Sequence, residues 1–91
     1  MKKILKYTLS PECYLQIPKG GVPLFVGNQK EVAQIWFLVD PSQEKETRHF
    51  SVFPTGVELP NNVGNFGGYH YIGSFLMSGG NLVFHVFESC E

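Results

Sequence analysis

Apolar side chains along this chain recur at every second position, the spacing of strands rather than helices. Leu5, Tyr7 and Leu9 alternate with Lys6 and Thr8, so residues 4–9 predict a strand with one apolar face. Pro11 forces a turn, and Cys13, Leu15 and Ile17 repeat the alternation until Pro18 ends it. Residues 23–26 predict a short strand between the Lys19-Gly20-Gly21 turn and a hairpin connection at Gly27-Asn28-Gln29-Lys30. The next run, 32–39, departs from the pattern. Ile35, Trp36, Phe37, Leu38 and Val39 leave no polar face, which predicts a strand covered on both sides. A helix, a barrel with aromatic packing outside, or a second subunit would supply the second cover.

Asp40-Pro41-Ser42 closes that run, and 43–46 reads as a charged loop. Residues 47–53 resume alternation, with Arg48, Phe50 and Val52 on one face and His49, Ser51 and Phe53 on the other. After the Pro54-Thr55-Gly56 turn, 57–59 predict a short apolar piece, and the Asn- and Gly-rich 61–68 predict a loop. The strand at 69–77 places Tyr69, Tyr71, Gly73, Phe75 and Met77 on one face and His70, Ile72, Ser74 and Leu76 on the other. Gly73 inside it marks a bulge or a close backbone approach. Ser78-Gly79-Gly80-Asn81 predicts a hairpin turn, and 82–87 return antiparallel with His85 as the one polar interruption. Together these elements predict an all-β fold, a small antiparallel sandwich or barrel of six to seven short strands. It is expected to be a single β-rich domain over 1–91, without repeats or linkers.

Length limits the core. A chain of 91 residues buries only about 60–65% of its unfolded surface. The aromatic share of 14% offsets this with large side chains that fill a core or cover a partner. The formal net charge of −1 argues against nucleic-acid binding, which needs a positive footprint. Lys2, Lys3 and Lys6 read as solvated lysines at a strand end rather than a phosphate site. Cys13 and Cys90 form no Cys-x-x-Cys pair, and the apolar run after Met1-Lys2-Lys3 is interrupted at Lys6, so no secretory leader is expected. Free thiols in a reducing cytosol are the expectation, with a terminal staple between Cys13 and Cys90 as the alternative, and no stretch approaches the roughly 20 apolar residues of a membrane span.

Several segments together resemble a family of short, uncharacterised tailed-phage proteins. They are Leu5-Lys6-Tyr7, Ile17-Pro18-Lys19-Gly20, Ile35-Trp36-Phe37-Leu38-Val39-Asp40-Pro41, Thr55-Gly56, Tyr71-Ile72-Gly73-Ser74-Phe75 and Leu82-Val83-Phe84-His85-Val86-Phe87-Glu88. The last segment is the most specific, and the 61–68 stretch departs from the family pattern. The resemblance implies a phage accessory protein in the bacterial host cytoplasm, and no particular reaction.

The chemistry-bearing residues are sparse. Ser74 with His70 is the one serine–histidine arrangement worth naming, but it lacks a Gly-x-Ser-x-Gly elbow and an orienting carboxylate. His49, His70 and His85 lack the short ligand spacing of zinc sites, so no metal is expected. The phosphate-loop spacing is absent, and no cofactor motif is present. Better footed is an aromatic ligand pocket. Trp36, Tyr69 and Tyr71 offer stacking faces, Arg48, His49 and His70 offer charge-assisted hydrogen bonds, and Asn62 and Asn65 could read a base or ribose edge.

The expectation is a non-enzymatic homo-oligomer that sequesters a small anionic, nucleotide-like immune signal to counter host defence. The alternatives are an inhibitor that docks on a host defence or replication enzyme, and a small nucleotide hydrolase using one of the histidines. Self-association follows from the apolar runs 35–39 and 82–87, which leave too much apolar surface for a lone chain of this size.

Overall fold

Alternation along the chain becomes two layers in the computed structural model, which describes residues 1–60 and 68–89. Seven strands follow one another: β1 (Lys3–Thr8), β2 (Glu12–Pro18), β3 (Val22–Gln29), β4 (Val32–Val39), β5 (Lys45–Pro54), β6 (Tyr69–Met77) and β7 (Leu82–Ser89). The first sheet has the order β1-β4-β3 and the second β2-β5-β7-β6, with every pairing antiparallel. The fold is a small all-β sandwich, as the pattern predicts.

The core lies between the sheets. β4 contributes Ile35, Phe37 and Val39, β2 contributes Ile17, β5 contributes Phe50 and β7 contributes Val86, all essentially without solvent contact. Phe37 and Phe50 meet edge to face across the layer, with centroids 5.8 Å apart. The expectation that 32–39 is covered on both faces holds only for the inward one. Trp36 and Leu38 point outward and are half-buried, because β4 is the middle strand of a sheet with no layer outside it among the described residues. Beside them stand Ile4 at 58%, Val22 at 50% and Phe25 at 63% exposure, paired in register with Leu38, Leu38 and Trp36. The Phe25 ring folds back over Gly27, where an added Cβ would meet it at 2.6 Å.

The β3–β4 connection lies two residues later than expected. β3 runs to Gln29, and the turn is Lys30–Glu31, with φ of 54° and 62°. Positive φ at both turn residues matches the twist of the flanking strands, a geometry that usually selects Asn-Gly. Here side chains hold it instead. The Glu31 amide donates to Asn28 Oδ1 at 2.7 Å, and Asn28 Nδ2 donates to Glu31 Oε2 at 2.6 Å.

β6 changes phase part-way. Its pairing with β7 shifts register between Tyr71 and Gly73, so Ile72 is bulged out of the ladder. The expected grouping of Tyr69 and Tyr71 with Gly73, Phe75 and Met77 is therefore corrected. Tyr69, Tyr71, Ser74 and Leu76 share the outward face, while His70, Gly73, Phe75 and Met77 share the inward one. Gly73 also permits a close approach, since a Cβ there would lie 2.9 Å from Val26 Cγ2 of the opposite sheet. The expected strand piece at 57–59 forms no ladder. Val57 closes a turn onto Pro54 O, and Val57 and Leu59 remain 47% and 41% exposed. No helix among the described residues is long and apolar enough to cross a membrane. Cys13 is a free, half-buried thiol, and Cys90 lies outside the described residues.

Candidate functional site

The outward face of the second sheet is built from alternate residues of its strands. The register brings Tyr14 of β2 opposite His49 of β5, Phe53 of β5 opposite His85 of β7, and Tyr71 of β6 opposite Phe87 of β7. A solvated sheet face is ordinarily polar, but this one is floored with rings. Tyr14 and His49 stack at 4.5 Å and 17°. Phe87 meets Phe53 at 5.8 Å and Tyr71 at 5.5 Å, and Phe53 reaches Tyr69 at 6.4 Å. Two clefts open on this floor. One, of about 220 Å³, is lined by Phe53, Thr55, Val57, Leu59, Tyr71, His85 and Phe87, and the other, of about 210 Å³, by Tyr14, Thr47, His49, Tyr69 and Ser89.

A chain of polar atoms crosses the first cleft. Tyr71 Oη and Ser74 Oγ lie 2.6 Å apart, Ser74 Oγ lies 2.7 Å from His85 Nδ1, and His85 Nε2 lies 2.7 Å from Thr55 Oγ1. Thr55 Oγ1 donates onward to the Val83 carbonyl at 3.2 Å. The imidazole is thereby oriented at both nitrogens. The expected pairing of Ser74 with His70 does not occur, because the Ile72 bulge puts them on opposite faces.

Arg48 sits on the inward face, 15% exposed, where the sandwich opens at its other end. Its Nε and Nη2 donate to the two Glu88 carboxylate oxygens at 2.6 and 2.8 Å, and Nη1 donates to the Gly21 carbonyl at 2.6 Å, tying the second sheet to the start of β3. The guanidinium carbon lies 5.1 Å from the Phe37 ring centroid. Hydrogen bonding to Glu88 raises the Arg48 pKa above its ordinary value, against the opposing effect of burial. An anion at Arg48 would therefore have to compete with Glu88.

The proposed ligand residues are thus divided. His49 and Tyr69 line one outward cleft and Tyr71 the other, while Arg48, His49 and His70 line a hollow of about 320 Å³ with Glu46 and Glu88. Trp36 faces outward on the opposite sheet, away from all of them. Asn62 and Asn65 lie outside the described residues. His49 and His70 share that hollow while His85 lies in another cleft, and among the described residues no group of His, Cys, Asp and Glu gathers around a cation position.

A family model described as "Domain of unknown function (DUF7352)" matches residues 1–91. The chain belongs to the DUF7352 family. No curated protein and no solved structure matches it. In this DUF7352 chain, Tyr14, Thr55, Ser74 and His85 escape the sequence reading as members of an aromatic and hydroxyl surface. One signal could have found the last two: counting outward from the Ser78–Asn81 turn sets Met77 opposite Leu82 and hence Ser74 opposite His85.

Proposed function

We propose that this protein is a non-enzymatic, self-associating binder of a small planar, nucleotide-like molecule, held on the outward face of the second sheet. The observation that carries the reading is the aromatic floor with polar tips, Tyr14, His49, Tyr69, Tyr71 and His85, where a solvated sheet would ordinarily present hydrophilic side chains. Stacking supplies affinity and the oriented hydroxyls and imidazoles supply direction. The face suits the ring of such a ligand better than its phosphate, since Arg48 is engaged with Glu88. Self-association uses the outward face of the first sheet, where the exposed Ile4, Val22 and Phe25 lie beside the half-buried Trp36 and Leu38 and form a contiguous apolar patch. The resemblance to short tailed-phage proteins supports the setting: an accessory protein in the host cytoplasm that withdraws an immune nucleotide signal.

The test is thermal denaturation with a panel of cyclic and ADP-ribose-type nucleotides, joined to native mass spectrometry of protein from signal-producing cells. The reading expects a raised melting temperature, intact ligand recovered on denaturation, and loss of the shift in Tyr14→Ala or Tyr71→Ala. A panel that leaves the melting temperature unmoved overturns it. A second reading, a hydrolase, is favoured by the Ser74–His85 contact, although Thr55 stands where a carboxylate would orient the imidazole. Product formation abolished by His85→Ala would favour it over the binder.

A further inference from the structure

At the end of the sandwich away from Arg48, the sheets do not close on each other. A cavity of about 450 Å³ opens there between them, walled by Leu9, Ala33, Val52, Phe75, Met77 and Phe84. We propose that this cavity binds a compact apolar amine, with its ring or short chain between the sheets and its ammonium group at Glu31. The site is separate from the outward face on which the nucleotide-like ligand is placed, and it goes beyond that reading.

Three observations lead to this ligand class. The first is size and lining: the volume falls within the range of about 300–1,000 Å³ usual for small-molecule sites, and the walls are side chains of both sheets. Phe75 and Phe84 stack at 5.7 Å and 22° and form a flat aromatic wall against which a ring can lie.

The second is packing. Ala33, Val52, Met77 and Phe84 pack against the buried core yet remain only half-buried, so the hollow leaves one side of each without neighbouring atoms. That forfeits dispersion contacts in a domain with little core to spare, and an apolar occupant restores them.

The third is charge. Glu31 is the one ionisable side chain lining the cavity among the described residues. Its carboxylate is held from both sides: Asn28 Nδ2 donates to Oε2 at 2.6 Å, and the Ser78 amide donates to Oε1 at 3.0 Å from the β6–β7 turn. Those hydrogen bonds lower its pKa below the usual carboxylate range, so it stays anionic at neutral pH. The other polar side chain of the lining, Ser10, has its hydroxyl donated to the Glu12 carbonyl at 3.1 Å. A fixed negative charge beside an apolar cavity favours a cationic head and rejects a carboxylate one.

The experiment compares three probes of one shape, 1-naphthylmethylamine, 1-naphthalenemethanol and 1-naphthaleneacetate, by calorimetry and by the Met77 methyl resonance of the full chain. The amine is expected to bind at least five-fold more tightly than the alcohol and to shift the Met77 signal, with the acetate weakest. Glu31→Gln removes the preference of amine over alcohol while leaving alcohol binding in place. Ala33→Leu fills the cavity and abolishes binding of both. Should Ala33→Leu fail to fold, the Met77 signal of the unmodified chain still decides. Equal binding of the three probes, amine preference retained in Glu31→Gln, or no shift at Met77 overturns the proposal.

Discussion

The outward face of β4 joins an apolar half, Trp36 and Leu38 with Ile4, Val22 and Phe25 beside them, to a polar half in which Lys6 donates to Gln29 across the sheet and Thr8 donates to Gln34. The outward face of β7 carries His85 and Phe87 among Thr55, Tyr71 and Ser74, each polar atom aimed at another. Both faces are rich in large side chains, and both lie outside the same core. They differ in directionality. Apolar contact without preferred direction tolerates a second protein surface of matching area, whereas oriented donors and acceptors around rings discriminate among small molecules. The comparison teaches that aromatic content alone does not identify a binding site; what matters is whether the polar tips are organised.

The sharpest way to break that comparison uses neighbours on β4. Phe37→Ala, facing inward, is expected to cost about 3–5 kcal/mol in urea denaturation. Trp36→Ala, facing outward, should cost about 1 kcal/mol or less in the isolated chain while abolishing self-association in sedimentation. If both residues cost the same and oligomerisation persists, the first sheet's outer face is not an interface.

The next effect concerns the brace beneath the second sheet. Arg48→Met strips Glu88 of its partner at a site where both side chains are about 15–16% exposed, and a loss of about 2–3 kcal/mol is expected, below the range for fully buried pairs. Chemical denaturation checks it, and the aromatic clefts on the other face should keep their near-ultraviolet circular dichroism.

Ser74→Ala cuts the chain between Tyr71 and His85 and should cost only about 0.5–1 kcal/mol, because water replaces the lost partner at an exposed site. It should leave association unchanged and weaken ligand uptake on the second sheet. Loss of oligomerisation instead would erase the distinction between the two faces.

The smallest effect is pH-linked. Glu31 is held low by Asn28 and the Ser78 amide, and Asp40 by the Ser42 hydroxyl and amide. Because folding lowers these pKa values, their contribution is fully present above the unfolded-state carboxylate range and is lost as pH falls through the folded values. Urea midpoints measured on acidification should decline below about pH 4.5, and less steeply in Glu31→Gln.

Much of the fold was legible because a two-layer sheet writes itself as alternation. Cys13, Leu15 and Ile17 turn inward as their spacing predicts, and Arg48 shares the inward face with Phe50 and Val52. Misreadings arise where local chemistry departs from the common signals. The Lys30–Glu31 turn lacks Asn-Gly and is held by side chains, and although Gly73 marks the bulge at Ile72, the glycine does not say that the face assignment inverts after Tyr71.

The amino-acid order by itself determined the strands, the antiparallel all-β class and the surplus of apolar side chains, because each follows from residue type and spacing within one segment. Only the tertiary structure decided which residues meet. It placed Trp36 on the opposite sheet from His49 and Tyr69, joined Ser74 to His85 and enclosed Arg48 with Glu88. It also opened a cavity beside Glu31. Those outcomes depend on register and on contacts between strands distant in the chain, where one bulged residue moves every later side chain to the other face.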